Sequence, residues 1–209
     1  SKPAAAAYLA KTYLYKAYRQ DDPEKHAVTG IDQADLQKVL DNTEIVLSSG
    51  YTLEPDFAFN FLPGSYENGP EALFSVQYSK DDGTRFGRLN FSDLLSVPMG
   101  LGCCDFNKPS QSLVNAFRTT GNGLPLENYN TLDQYSTQEQ YDPRLFHTVA
   151  IPGLPYKYNS DRIYEESWNR NPADYYFYAS LKENVDPDCD CFVPMVPFYA
   201  NSKNRILIR

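Results

Sequence analysis

The side chains able to do acid–base, nucleophilic or metal chemistry are few in type here: two histidines, four cysteines, and 27 carboxylates among 209 residues. A nucleophile needs a base that is itself held by a third group, and histidine is the usual base near neutral pH. His26 lies in a charged stretch between two helical segments, and His147 sits on the apolar face of an extended segment, where a hydrogen-bonded structural histidine is the simpler role. No G-x-S-x-G elbow, Walker loop or H-E-x-x-H pair occurs. Two carboxylates suffice for a glycosidase, and Glu165–Glu166 beside Trp168 is the most tempting pair. Adjacent residues diverge, however, and a sugar is normally flanked by acids from different elements. Cys103–Cys104 and Cys189-x-Cys191 lack the Cys-x2-4-Cys spacing that lets two thiolates reach one zinc. A disulfide between the pairs and simple buried thiols both stay open. Asp81-Asp82-Gly83 reads as a turn without the spacing of a calcium loop. The expectation is a protein without catalytic activity, metal or cofactor.

Binding chemistry is better represented. Pyranose rings offer C–H faces that pack on flat aromatics, while their hydroxyls need planar polar groups at the edges. Residues 156–178 mix these densely: Tyr156, Tyr158, Arg162, Tyr164, the single Trp168, Asn169, Arg170, Tyr175, Tyr176 and Tyr178. Trp168 stands in a polar turn before Asn169-Arg170-Asn171-Pro172. It is therefore expected to form a stacking platform with Tyr164, with Arg162 and Asn169 contacting sugar hydroxyls. The competing account is that these rings fill a core beneath a long loop, and Tyr175–Tyr178 also reads as a buried strand.

The elements that would position such a site divide at about residue 50. Ala7, Ala10, Leu14 and Ala17 share one face of an alanine-rich helix. Asp32 is placed to cap a second helix whose stripe is Leu36, Val39, Leu40, Thr43, Val46 and Leu47, with Gly50 at its end. Residues 1–50 thus form an antiparallel helical hairpin, either one tetratricopeptide-like repeat or a plain two-helix layer. A repeat buries its face by stacking, so the face around Ala7, Leu14, Val39 and Val46 is expected to self-associate or to take up the chain's own insert. Residues 51–209 read as a loop-rich insert with 15 prolines in the whole chain to interrupt long helices. It includes a strand over Glu71–Ser79, a short helix Gln111–Arg118 capped by Ser110, and an extended segment Leu145–Ile151 after the turn Asp142-Pro143-Arg144. The fold class expected is α-rich (α+β), one compact unit. A net charge of −8 argues against nucleic acid as a partner, and no run approaches the ~20 apolar residues of a membrane-spanning helix.

Two motifs carry a family likeness. Asn107-x-Pro109-Ser110-x-x-Leu113-Val114-x-x-Phe117 followed by Asp142-Pro143-Arg144-Leu145 resembles the SusD/RagB family of surface glycan-binding lipoproteins. Pro3–Gln20 looks like that family's alanine-rich repeat helix, Leu36–Gly50 like its partner helix, and Glu71–Ser79 like a short family strand. The resemblance implies non-catalytic oligosaccharide binding at the outer membrane of Bacteroidetes-type bacteria. It also implies a SusC-like TonB-dependent transporter as partner, and membrane attachment through a lipid anchor lying outside this stretch. The chain is shorter than family members and stops at Asn204–Arg209, where a further repeat helix would begin, so it reads as a fragment. A helical-repeat scaffold that binds protein instead of sugar is the alternative.

Overall fold

In the computed structural model the described residues are 1–22, 24–25, 27–78, 95–102, 104–182, 186, 188, 194–195, 198–201 and 205–209. Helix α1, Lys2–Ala17, starts where the Ser1 hydroxyl accepts the Ala4 N–H, with proline in its first turn. Helix α2, Gln33–Leu47, starts where the Asp32 carboxylate accepts the Asp35 N–H at 3.0 Å. It is followed by Gly50 at φ 86°, a left-handed position that favours glycine. Between the helices, β1 (Tyr18–Arg19) and β2 (Gly30–Ile31) pair antiparallel and bring the end of α1 to the start of α2. The helical hairpin is therefore present.

The contacts within the hairpin are not those of an apolar seam. The one buried residue of α2 is an acid, Asp35, while Leu40 is 63% and Leu47 70% exposed. Asp35 gathers Lys16 and Arg19 from the α1 end and Lys38 from its own helix, at 3.0–3.2 Å. Side chains of Leu36, Val39, Thr43 and Val46 are half-buried, and Leu14 is exposed. On α1 the buried positions are Ala4, Ala6 and Ala17. The expected leucine stripe is thus only partly covered, because alanine opposite it offers little surface to pack.

The α-rich, tetratricopeptide-like architecture is corrected by the rest of the chain. The molecule is mixed, 36% helix and 15% strand, with four α-helices and small antiparallel ladders among the described residues. The ladders are β1–β2, β3–β10, β4–β7, β5–β6 and β8–β9. Arg205–Ile208, expected to lead toward a repeat helix, is strand β10 and pairs with β3, Phe74–Val76. Its Ile-Leu-Ile sequence suits a pleated strand better than a helix, since branched side chains lose rotamer freedom against a helical turn. Strands β8 (Pro194–Met195) and β9 (Phe198–Asn201) form a further ladder.

Where the sequence suggested one unit divided at residue 50, the chain clusters into two compact units. The first comprises 1–60, 68–77 and 204–209, and the second 61–67 and 78–203. Asp81-Asp82-Gly83, His26 and Cys103, Cys189 and Cys191 lie outside the described residues. Cys104 is disulfide-bonded. No helix among the described residues is long and apolar enough to cross a membrane.

The second unit has two apolar clusters with one strand as the wall between them. Val97, Leu101, Ala150, Tyr156, Tyr164, Ala179 and Leu181 form one; Val114, Leu145, Val149, Ile151 and Tyr178 form the other. Strand β4 is Val149–Ala150 alone, paired with β7, Ala179–Ser180. Alternation sends Val149 to one cluster and Ala150 to the other, so both faces are buried. The longer strand expected over 145–151 is corrected here, because Pro143–His147 is a 3₁₀ turn capped by Asp142. His147 instead sets its Nδ1 3.1 Å from the Tyr158 hydroxyl.

The two motif segments meet in this unit. Helix α3, Gln111–Ala116, is capped by the Ser110 hydroxyl accepting from Leu113 N–H at 3.2 Å. The Phe117 carbonyl then accepts the Asp142 N–H at 2.8 Å. Arg118 and Tyr141 form an antiparallel bridge, and Val114 and Leu145 share a cluster.

The Asp35 cluster gives a pH-dependent expectation. Hydrogen bonding from Lys16, reinforced by Lys38, holds the Asp35 carboxyl below its ordinary pKa. Its contribution is complete above the unfolded value of about 3.9 and drains away as pH falls through the depressed folded value. Asp35→Asn should lower the melting temperature at pH 7, and the gap from wild type should narrow below about pH 4. Circular dichroism melts at both pH values measure this; equal melting temperatures at pH 7 contradict it.

Candidate functional site

The stretch expected to bind sugar begins at a tight hairpin. Strands β5, Pro155–Tyr156, and β6, Asn159–Ile163, are joined by Lys157 and Tyr158, at φ 27° and 68°. Neither is a residue that prefers positive φ. What holds the turn is the buried Lys157 ammonium, which donates to the carbonyls of Leu181, Lys182 and Phe61. Strand β6 then delivers Tyr164 into the core, and a 3₁₀ turn, Glu166–Trp168, brings Trp168 back over it.

Tyr164 has no exposed surface. Its ring stacks with Tyr156, centroids 6.0 Å apart, and Trp168 meets both rings edge-on at 5.7 and 5.4 Å. Burial raises both tyrosine pKa values. Among the described residues the buried Tyr156 hydroxyl has no hydrogen-bond partner. Trp168 retains partial exposure, and its other side lies against Gly100 in the turn Met99–Leu101.

Asn169 is buried and fully engaged. Its amide donates to the Glu166 and Phe177 carbonyls at 2.8 and 3.1 Å, and its oxygen accepts from the Tyr164 hydroxyl and from Lys108. Arg162 is half-buried between two acids. Its Nε lies 2.6 Å from Asp186 Oδ2, close as an ion pair although not aligned as a hydrogen bond, and its Nη2 reaches Asp188.

The structure thus brings Tyr164, Trp168 and Asn169 together, but as the inside of a wall. Tyr164 offers no face to a ligand and Asn169 no spare polar atom, so the sugar contacts expected of these two are corrected. The physical reason is that a tyrosine hydroxyl can be buried if it is given an acceptor, and Asn169 is that acceptor. Tyr175–Tyr178 is not a strand: α4 is Pro172–Tyr175, Tyr175 is 57% exposed, and Tyr178 is buried with its hydroxyl donating to Gln111.

Sequence reasoning passed over Asp105, Phe106 and Lys108. Asp105 is buried, and its carboxylate accepts two bonds from Lys108 Nζ at 2.9 and 3.0 Å and one from the Arg170 N–H at 2.8 Å. Lys108 bridges onward to Asn169. Burial pulls the Lys108 ammonium below its ordinary pKa, against the opposing pull of Asp105. The network locks residues 105–108 to 169–170, and in each segment the next residue turns outward. Phe106 is 49% exposed and carries the exposed Arg170 guanidinium 4.7 Å from its ring centre. Asp105 and Asn107, at φ 54° and 58°, hold Phe106 between two left-handed residues. Asp-Phe-Asn was the available signal, since Asp and Asn are the side chains most at ease there.

A second surface belongs to the first unit. A cavity of about 780 Å³ opens between Ala7 and Ala10 of α1, Val46 and Leu47 of α2, and Ile206 and Ile208 of β10. The hairpin face expected to seek a partner is therefore flanked by the chain's own strand. Glu71 at its edge is held by Arg209 at 2.8 Å and by Asn60 at 2.9 Å.

Among the described residues, no three His, Cys, Asp or Glu side chains are grouped to hold a metal ion. No protein-family model matches this chain, and no curated protein matches it by sequence.

Two substitutions test the wall. Lys108→Met leaves the Asp105 carboxylate buried without its counter-charge and should cost about 3–5 kcal/mol in urea unfolding. Adding Asp105→Asn should restore part of that loss. Gly100→Ala would set a methyl 2.5 Å from Trp168 Cγ. The ring must move, at a cost of about 1–3 kcal/mol, and the emission of the single tryptophan should shift. Unchanged emission and stability would show that the turn yields instead.

Proposed function

We propose that this chain is a non-catalytic carbohydrate-binding protein, similar to the SusD/RagB family, that captures an oligosaccharide at the bacterial outer surface. The observation that carries the reading is the mount of Phe106. A half-exposed aromatic ring is held outward by two left-handed residues and an ionic network beneath it. Left-handed non-glycine residues cluster at functional sites, and a buried charge is costly to keep. A flat ring so fixed suits the C–H face of a pyranose, because neither partner loses much conformational freedom on contact. Trp168, partly exposed and fixed over its tyrosine pair, adjoins the same buried network through Asn169. The sequence likeness of the Asn107–Phe117 and Asp142–Leu145 motifs supports the same reading. By that likeness the partner is a TonB-dependent outer-membrane transporter, to which the bound glycan is delivered, and the protein is held at the membrane by a lipid anchor.

One observation favours a second reading. The cavity of the first unit is mostly apolar and bordered by Leu47 and Leu53, both well exposed. Such a surface suits a polypeptide better than a sugar, which is what a protein-binding scaffold would present.

A glycan array separates the two. Wild type should bind at least one oligosaccharide, and Phe106→Ala should weaken that binding at least tenfold with an unchanged circular dichroism spectrum. Silence on every glycan overturns the carbohydrate reading in favour of the scaffold.

A further inference from the structure

Arg170 gives the Phe106 surface a charge preference. Its backbone and its side chain do separate things: the N–H is spent on Asp105, while the guanidinium lies over the Phe106 ring. Among the described residues no carboxylate pairs with that guanidinium, in contrast to Arg19, Arg118, Arg144, Arg162 and Arg209, each of which has an acid. The charge immediately below is cancelled, since Asp105 is matched by Lys108. What remains at the surface is one unpaired, planar cation held against an aromatic face.

Resting on the carbohydrate reading above, we infer that the glycan bound here is acidic and carries a uronic acid residue at the Phe106–Arg170 pair. A carboxylate matches the guanidinium fork with two parallel hydrogen bonds, which an ammonium would not reproduce. With its carboxylate taken there, the attached pyranose falls on the exposed remainder of the Phe106 ring. The stack pre-orients the guanidinium, so less freedom is lost on binding. Opposing charge exists: Glu165 and Glu166 are exposed on the preceding turn, Asp174 follows in α4, and the chain's net charge is −8. At physiological salt the chain's net charge is largely screened beyond about 8 Å, so it slows the approach of an acid while the contact at Arg170 selects it.

The experiment is isothermal titration with trigalacturonate and with its methyl ester, which keeps the ring and removes only the charge. Wild type should bind the acid at least tenfold more tightly than the ester. Arg170→Ala, which keeps the N–H to Asp105, should abolish that preference, and Arg170→Lys should recover less than half of it on a logarithmic scale. Phe106→Ala should weaken both, the acid somewhat more than the ester, because the guanidinium loses its support. Equal binding of acid and ester, an acid preference that survives Arg170→Ala, or binding of neutral array glycans with none of trigalacturonate would each overturn the inference while leaving the carbohydrate reading standing. Failure to bind any glycan removes that reading, and this inference with it.

Discussion

A carboxylate removed from water must be neutralised in place, and the arrangement around Asp105 follows from that requirement. Lys108 supplies the opposite charge, and the Arg170 N–H supplies a third hydrogen bond from a segment 65 residues away along the chain. Asn169 then answers both Lys108 and the Tyr164 hydroxyl, which joins the ionic network to the aromatic cluster. Each of these bonds is directional. Together they fix which residues of two separate segments face inward, and so leave Phe106 and Arg170 facing out. Apolar packing alone would tolerate a rotation of either segment; a buried ion pair with every bond used does not.

The first unit uses the same device. Asp35 is the buried residue of α2, and the cations around it come from the end of α1 and from the next turn of its own helix. Alanine on the facing helix gives close approach but little apolar area, so the register of the hairpin rests on charge and on the short β1–β2 ladder. Replacing stacked repeat helices, strand β10 lies beside the hairpin and pairs with β3. That substitution separates this mixed fold from a helical array.

In the second unit, the residues that look like a sugar platform are part of a filled aromatic core. Tyr156, Tyr164 and Trp168 present edges and faces to one another, and the polar groups near them are consumed within the wall. A stacking surface needs a ring that cannot collapse inward, and a filled core beneath it provides that. Arg162, tied to Asp186 and Asp188, belongs to the same category of internal bracing.

Local chemistry was legible in the chain. The Asp32 and Ser110 caps, the Asp142 turn, Gly50 past the end of α2, and both hairpin helices follow from interactions within a few residues of sequence, and each is found where it was read. What decided the site lies beyond that range. Whether Tyr164 faces solvent depends on Asn169 being its acceptor and Lys108 reaching Asn169, a contact across 61 positions. Whether Leu40 and Leu47 are covered depends on what the facing helix offers. The sequence alone determined where turns and helices begin, because capping and backbone preference are local energies. Only the tertiary structure decided which aromatic is buried and which is displayed, because a ring's exposure depends on the partners that distant segments bring to it.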